Sequence, residues 1–344
     1  MRVRTFNILI LLVIVSVAAA AYIVSRSADD PRFEKIGQPV FPGLIDQVND
    51  ISELNVAGAR GSITIRRTGK SWRVVESRDH PANPKEVFKA IVGIAELKYF
   101  EPKTERVEKL ARLRLDDPSK PGSKAKRLTL KVGDRVVADV VVGREKSFLP
   151  GLTVGGVYFR LPNESESWLA RGNPEAGDLP KDWLAREIVN IDGKRVKSVT
   201  IRHADNEIVQ ILRPNAVTAQ FVLSGMPSGM KIKYASDLES LGAILEHLEM
   251  DDARHVTDRT IDWSGSIVAE VETFDGVRAF LETVNRDDID WLRIRVEAAS
   301  LEVQREVRDI MKRTSGWVYM MPKYEVVPIR RRMRDLLVPE DSQS

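Results

Sequence analysis

The chain of 344 residues contains no cysteine. That single absence removes structural disulfides, thiol nucleophiles, zinc ribbons, iron–sulfur clusters and a cysteine for lipid attachment. Histidine is almost as scarce, with four positions: His80, His203, His247 and His255. A charge of one sign is missing too. The chain has 53 Lys+Arg against 50 Asp+Glu, and a net +3 leaves no electrostatic footprint for nucleic acid. What is there, 43% hydrophobic and 30% charged residues, is the balance of a folded protein and rules out wholesale disorder. The length suits about two domains.

The one long apolar run lies near the N-terminus. Ile8–Val24 carries no charge, follows Arg2 and Arg4, and approaches the ~20 residues that cross a bilayer. The positive-inside rule then leaves the N-terminus in the cytoplasm and exports the rest. Two readings remain open: an uncleaved signal anchor, and a signal peptide cleaved near Ala18–Ala21. Length favours the anchor, because Tyr22, Ile23 and Val24 continue the run past the alanines. A chain without thiols also suits an oxidising compartment. Ser25–Gln38, polar and holding Pro31, reads as a linker.

Two halves follow with matching order. Ser62-Ile63-Thr64-Ile65-Arg66 recurs as Ser198-Val199-Thr200-Ile201-Arg202, each followed by a second strand, Ser71–Val75 and Gln220–Leu223. Each then leads to a helix with a start signal. The first is Asn83-Pro84-Lys85-Glu86, and the second is a capping box at Ser236–Glu239. Hairpins are expected at Gly133-Asp134 and Asp275-Gly276, and further strands at Val157–Leu161 and Asp290–Val296. A short helix around Trp183 joins the halves. A helix over Ser300–Lys312, stopped at Gly316, and a strand Trp317–Met321 close the second.

Motifs that carry chemistry are weak. Gly69-Lys70-Ser71 resembles the end of a phosphate loop, but Thr64 occupies the position of its first glycine and no helix follows, so a hairpin turn is expected. Gly151, Gly155 and Gly156 do not match a dinucleotide fingerprint. His247 and His255, with Glu249, Asp251 and Asp252 between, lack metal-ligand spacing. Ser224 and Ser264 stand in turn-like contexts with no nucleophile elbow. The six tryptophans are spread one per element and read as packing. The basic run Arg330, Arg331, Arg332 and Arg334 is expected to form a solvated terminal helix, with a lipid or partner contact as the sharper alternative.

A series of short segments resembles domain-of-unknown-function family 4340. Phe41-Pro42-Gly43-Leu44 opens it. Gly69–Val74, His80-Pro81-Ala82-Asn83, Glu101–Thr104, Leu115–Pro118, Val157–Arg160, Ser167–Ala170 and Asp182–Leu184 continue it, within a span of about Gln38 to Leu337. His80 departs from the pattern, which has an aromatic residue there, usually tyrosine; a ring is still supplied. The resemblance implies a membrane-anchored extracytoplasmic module with no established reaction. It also implies partners among ABC transporters of the gliding-motility auxiliary type. It supplies no catalytic residues.

The expected fold class is therefore α+β: an N-terminal transmembrane helix followed by two related antiparallel-sheet units, each with a packed helix. The expected division is an anchor at 1–24, a linker at 25–40, units at 41–178 and 179–337, and a mobile tail at 338–344. No catalytic, cofactor-binding or metal-binding residue is assigned, and no cofactor is expected. The expected function is a non-enzymatic periplasmic component, single-pass in a bacterial inner membrane through residues 8–24, that scaffolds or assists an ABC-type transport or envelope complex. Its expected partners are permease or auxiliary subunits, not nucleic acid. The alternatives are a small-molecule or lipid module using a cleft between the units and, behind it, an envelope hydrolase.

Overall fold

A computed structural model describes residues 12–18, 31–217, 220–257 and 260–340. Residues 12–18 are helical (α1), with Leu12, Val13, Ile14, Val15 and Val17 exposed and the Ser16 hydroxyl donating to Leu12 O at 2.8 Å. The rest of the Ile8–Val24 run and residues 25–30 of the linker lie outside the described residues. Among the described residues no helix is long and apolar enough to cross a membrane.

The body is mixed α+β, with large antiparallel sheets and few helices, and it divides into two compact units. The first takes the chain up to Glu76 and again Pro84–Trp183; the second takes Ser77–Asn83 and the chain from Leu184. The joint thus falls at Trp183/Leu184 in place of 178/179, and seven residues from the first half belong to the second unit.

The first unit contains β1 (Glu53–Gly58), β2 (Gly61–Thr68) and β3 (Ser71–Val74). After β4 (His80–Pro81), which belongs to the second unit, come α2 (Pro84–Ala95), β5 (Lys98–Pro102), α3 (Val107–Leu110), β6 (Lys126–Val132), β7 (Arg135–Lys146), β8 (Gly156–Arg160) and β9 (Ser167–Arg171). Within this unit the strand order is β3-β2-β1-β6-β7-β8-β9-β5. Period-two alternation builds the sheet: Leu54 and Val56 face Ile65 and Ile63 on one side, and Leu130 and Leu128 on the other. Helix α2 buries Val87, Ala90, Ile91 and Ile94, the i, i+3, i+4, i+7 stripe of an amphipathic helix. Burying each of Val87, Ile91 and Ile94 contributes about 1.5–3 kcal/mol. The β2–β3 turn is made at Gly69 and Lys70, with Gly69 at φ 61°, the hairpin expected there.

The second unit contains β10 (Glu187–Val189), β11 (Val196–Arg202), β12 (Ile208–Leu212), β13 (Val222–Leu223), β14 (Met230–Ile232) and α4 (Ala235–Gly242). It continues with β15 (Leu248–Glu249), β16 (Asp252–His255), β17 (Ile267–Thr273), β18 (Val277–Arg286), β19 (Ile289–Ala298) and α5 (Gln304–Thr314). The last elements are β20 (Trp317–Met321), α6 (Lys323–Val326), α7 (Met333–Leu336) and β21 (Leu337–Pro339). Its main sheet has the order β13-β12-β11-β17-β18-β19-β20-β16. Val199 and Ile201 pair with Ile211 and Val209 on one side, and with Val271 and Ala269 on the other. Position for position, this is the strand order of the first unit.

That equivalence corrects the alignment read from sequence. β11 occupies the place of β1, so Ser198–Arg202 answers to β1 and not to Ser62–Arg66, which lies on β2. Both segments alternate buried and half-exposed residues, and any half-buried strand shares that pattern. Ser236 is not a helix cap either. Helix α4 starts after Tyr234, and Glu239 turns toward Arg213 (3.8 Å) instead of back to the helix start. The closing helix starts at Gln304, later than the expected Ser300. Beyond it, ordered pairing runs past the expected tail boundary of 338: β21 pairs with β14 through Val338 and Pro339, and residues 341–344 lie outside the described residues.

Candidate functional site

The segment Ser77–Asn83 enters the second unit through an unusual turn. Arg78 and Asp79 are both left-handed, at φ 50° and 57°. That conformation costs a non-glycine residue about 1–2 kcal/mol. The segment is then tied down by an antiparallel bridge between Ala82 and Leu184 and by Ala185 N–H donating to Pro81 O at 2.8 Å. The result drives His80 into the unit, where it is 4% exposed. Its ring packs edge-on to Trp317, with centroids 4.7 Å apart, and its Nδ1 lies 3.0 Å from Pro81 O, the geometry of an Nδ1–H donor. The ring that the sequence supplies at this position therefore does pack.

Beside His80 lies a cavity of about 160 Å³ lined only by residues of the second unit. Its apolar wall comes from Pro81, Ala185, Ile188 and Met250. Its polar side comes from β20 and the end of α5. Tyr319 is 2% exposed, and no hydrogen bond of its hydroxyl occurs among the described residues. Burial raises the pKa of that phenol well above its ordinary value, and the Arg313 charge opposes the shift only in part. The hydroxyl is thus held as a proton donor. Arg313 lines the cavity from the exposed end of α5 and has no ion pair among the described residues. Glu187, also at the cavity, is engaged by Asn190 Nδ2 at 3.3 Å and lies 3.4 Å from His247 Nδ1. The Thr314 hydroxyl is satisfied by Ile310 O at 3.0 Å.

A second, more open depression of about 530 Å³ surrounds Arg213. This arginine is 6% exposed, and its Nη1 donates to the carbonyls of Gly193, Lys194 and Val196 at 3.0–3.2 Å. The guanidinium stacks on Phe221 at 4.1 Å. Its main work is structural: it gathers three carbonyls at the end of a short 3-10 turn, which Asp192 caps from the other side.

The sequence candidates are dispersed. His247 is exposed on a turn, whereas His255 packs edge-on to Trp317 at 5.5 Å. Asp251 pairs with Arg186 and Asp252 with Arg254. Among the described residues no group of three or more His, Asp or Glu could hold a metal ion. Ser264 donates to Asp262. One hydroxyl–imidazole pair does occur: Thr257 Oγ1 and His255 Nδ1 are 2.8 Å apart. Thr257 N–H also points at that nitrogen, at 3.4 Å, so the pair is a local turn contact. Trp168, Trp183 and Trp291 are buried, while Trp263 lies under Arg293 at 4.4 Å.

The arginine run is corrected most clearly. Arg330 pairs with buried Asp290, Arg331 with Asp237 at 2.7 Å, and Arg332 with Asp205 and Glu207. These cations stitch the C-terminal segment onto three other elements of the second unit. Arg334 is the most exposed of the four, at 81%, with only a loose 3.9 Å contact to its neighbour Asp335. The acids that hold the run come from positions 40 to 127 residues away, so no local signal announced them.

A family model described as "Domain of unknown function (DUF4340)" matches residues 72–260, more than half of the chain. The chain belongs to the DUF4340 family. No curated protein and no solved structure matches it. The DUF4340 match begins in β3 and ends beyond β16, so it takes in parts of both units. It includes His80, Ala185, Glu187 and Met250 of the cavity, while Arg313, Thr314 and Tyr319 lie beyond it.

Proposed function

We propose that this DUF4340 chain is a non-enzymatic, membrane-anchored extracytoplasmic component that scaffolds or assists an ABC-type transport or envelope complex. The observation that carries the reading is the uncharged Ile8–Val24 run behind Arg2 and Arg4, joined to a large body of two sheets with the same strand order. In this reading the run holds the chain in a bacterial inner membrane, single-pass, with its N-terminus in the cytoplasm and the body in the periplasm. The repeated strand order is the product of an internal duplication, which gives one chain two similar surfaces. The partners are permease or auxiliary subunits of the transporter, bound through shape and sheet edges, since a net charge of +3 offers little long-range steering.

Two experiments test it. Fractionation of cells making the full chain places it in the membrane, resistant to salt and alkali, if the anchor is uncleaved; recovery in the soluble periplasmic fraction contradicts the anchor. Capture of the tagged chain in mild detergent is expected to recover an ATP-binding transport subunit and its permease. Their absence, while a control membrane complex survives the same extraction, overturns the partner assignment.

A further inference from the structure

The small-ligand class weighed from sequence concerns a cleft between the units. The cavity with the better chemistry lies wholly inside the second unit, behind His80. At about 160 Å³ it is close to the ~150 Å³ apolar cavities that take up a benzene-sized guest. It is not a plain apolar void, because Tyr319 and Arg313 both line it, and neither has a hydrogen bond or ion pair among the described residues.

We propose that this cavity is a binding site for a small organic monocarboxylate with a short apolar body. Arg313 and the Tyr319 hydroxyl are the two donors for the carboxylate. Pro81, Ala185, Ile188 and Met250 enclose the body, and the His80 ring closes one side. The donor pair fits the class. A guanidinium and a hydroxyl offer charge-assisted hydrogen bonds to an anionic head, and the apolar wall offers nothing to a second charged group. The one acid at the cavity, Glu187, accepts from Asn190 Nδ2 and lies beside His247; its charge opposes an anion, so the guest's carboxylate belongs with Arg313 and Tyr319. The paired left-handed residues Arg78 and Asp79 are backbone strain kept where His80 must be aimed, as strain often is at a binding site. The site is independent of any transporter partner, so it goes beyond the scaffold reading and stands or falls separately from it.

Equilibrium dialysis of the full chain in detergent micelles, against empty micelles, tests the site. The probes are benzoate, isobutyrate, benzamide and inorganic phosphate. Benzoate or isobutyrate is expected to saturate one site per chain, with a Kd of about millimolar or tighter. Benzamide and phosphate are expected to bind at least about tenfold more weakly, for lack of charge and of an apolar body respectively. Tyr319→Phe and Arg313→Gln should each weaken binding about tenfold. Ala185→Leu should abolish it by filling the space. Arg313 is solvent-exposed, so its substitution leaves the fold intact and keeps the test decisive even if another variant is unstable. Absence of saturable binding by both carboxylates overturns the proposal. So does phosphate binding as tightly as benzoate, or binding unchanged in Arg313→Gln.

Discussion

Arg195→Met removes a charge from the best-formed polar junction of the second unit and keeps most of the side-chain stem. Arg195 makes a two-armed contact with Glu306 on α5, both bonds 2.8 Å, and a second contact with Asp275 in the β17–β18 turn at 2.7–2.8 Å. It thereby ties a helix to a hairpin end, while its own backbone carbonyl accepts from Phe274 N–H at 2.9 Å. All three side chains are about one-third exposed, so solvent screening lowers the value of each pair. Taking ~1 kcal/mol per pair, the loss is ~2 kcal/mol, with added repulsion between the abandoned carboxylates. For a unit of this size that is a fall in Tm of ~4–8 °C. Calorimetry of the full chain in micelles measures it, and hydrogen-exchange protection of Gln304–Thr314 identifies the unit affected.

The pH dependence has a definite sign. Asp275 is held below the usual carboxylate range: hydrogen bonds from Thr273 and Arg195 overcome the opposing effect of burial. A depressed acid stabilises the fold above its unfolded pKa of ~3.9, and that contribution disappears as pH falls through the lower native value. The gap between the parent chain and Arg195→Met should therefore be full at pH 7 and shrink below about pH 4. A fall in Tm under ~1 °C, or a gap equally large at pH 7 and in strong acid, refutes the electrostatic account.

Three further outcomes are expected. Gly156→Ala would place a Cβ 2.2 Å from the Ala170 carbonyl oxygen on the neighbouring strand and 2.7 Å from Leu149 Cδ2; it should cost ~3 kcal/mol or more in a thermal melt, whereas Gly151→Ala, at φ 75° in open space, should cost only ~1 kcal/mol. Arg330→Gln abandons Asp290, whose side chain is 1% exposed, and should destabilise the second unit by ~3 kcal/mol in urea titration, while Arg334→Gln should change stability by no more than ~0.5 kcal/mol. Trp168→Ala empties the centre of a cluster in which Tyr99 meets it edge-on at 4.7 Å, and should cost the first unit ~3–5 kcal/mol by the same method.

The parts of the fold that were legible in sequence are those governed by neighbours a few residues apart. Helix α2 begins at Pro84 as its start signal predicts, and the turns at Gly133 and Gly276 join β6 to β7 and β17 to β18, both glycines at positive φ. Strand β12 went unread: from sequence the place after Ser198–Arg202 falls to Gln220–Leu223, whereas Ile208–Leu212 is the strand that pairs with β11 there. The repeat was visible, but its register was not, since β2 and β11 share an alternation while occupying different places in their sheets. The cavity could not be read at all. His80, Met250, Arg313 and Tyr319 are spread over 240 residues, and only the tertiary fold gathers them. The arginines at 330–332 looked solvated because the charges that neutralise them are equally distant in sequence.

The placement of Ser77–Asn83 in the second unit also bears on how the protein is made. The ribosome completes this segment about 250 residues before the last strand of the unit that receives it. At ~5–20 residues per second that is an interval of ~10–50 s. For roughly the last 150 residues of it the first unit has all its own sequence, while His80 still lacks Trp317, the ring it packs against. The order of synthesis therefore builds in a waiting step, and the second unit closes only when an early-made peptide is captured by a late-made sheet.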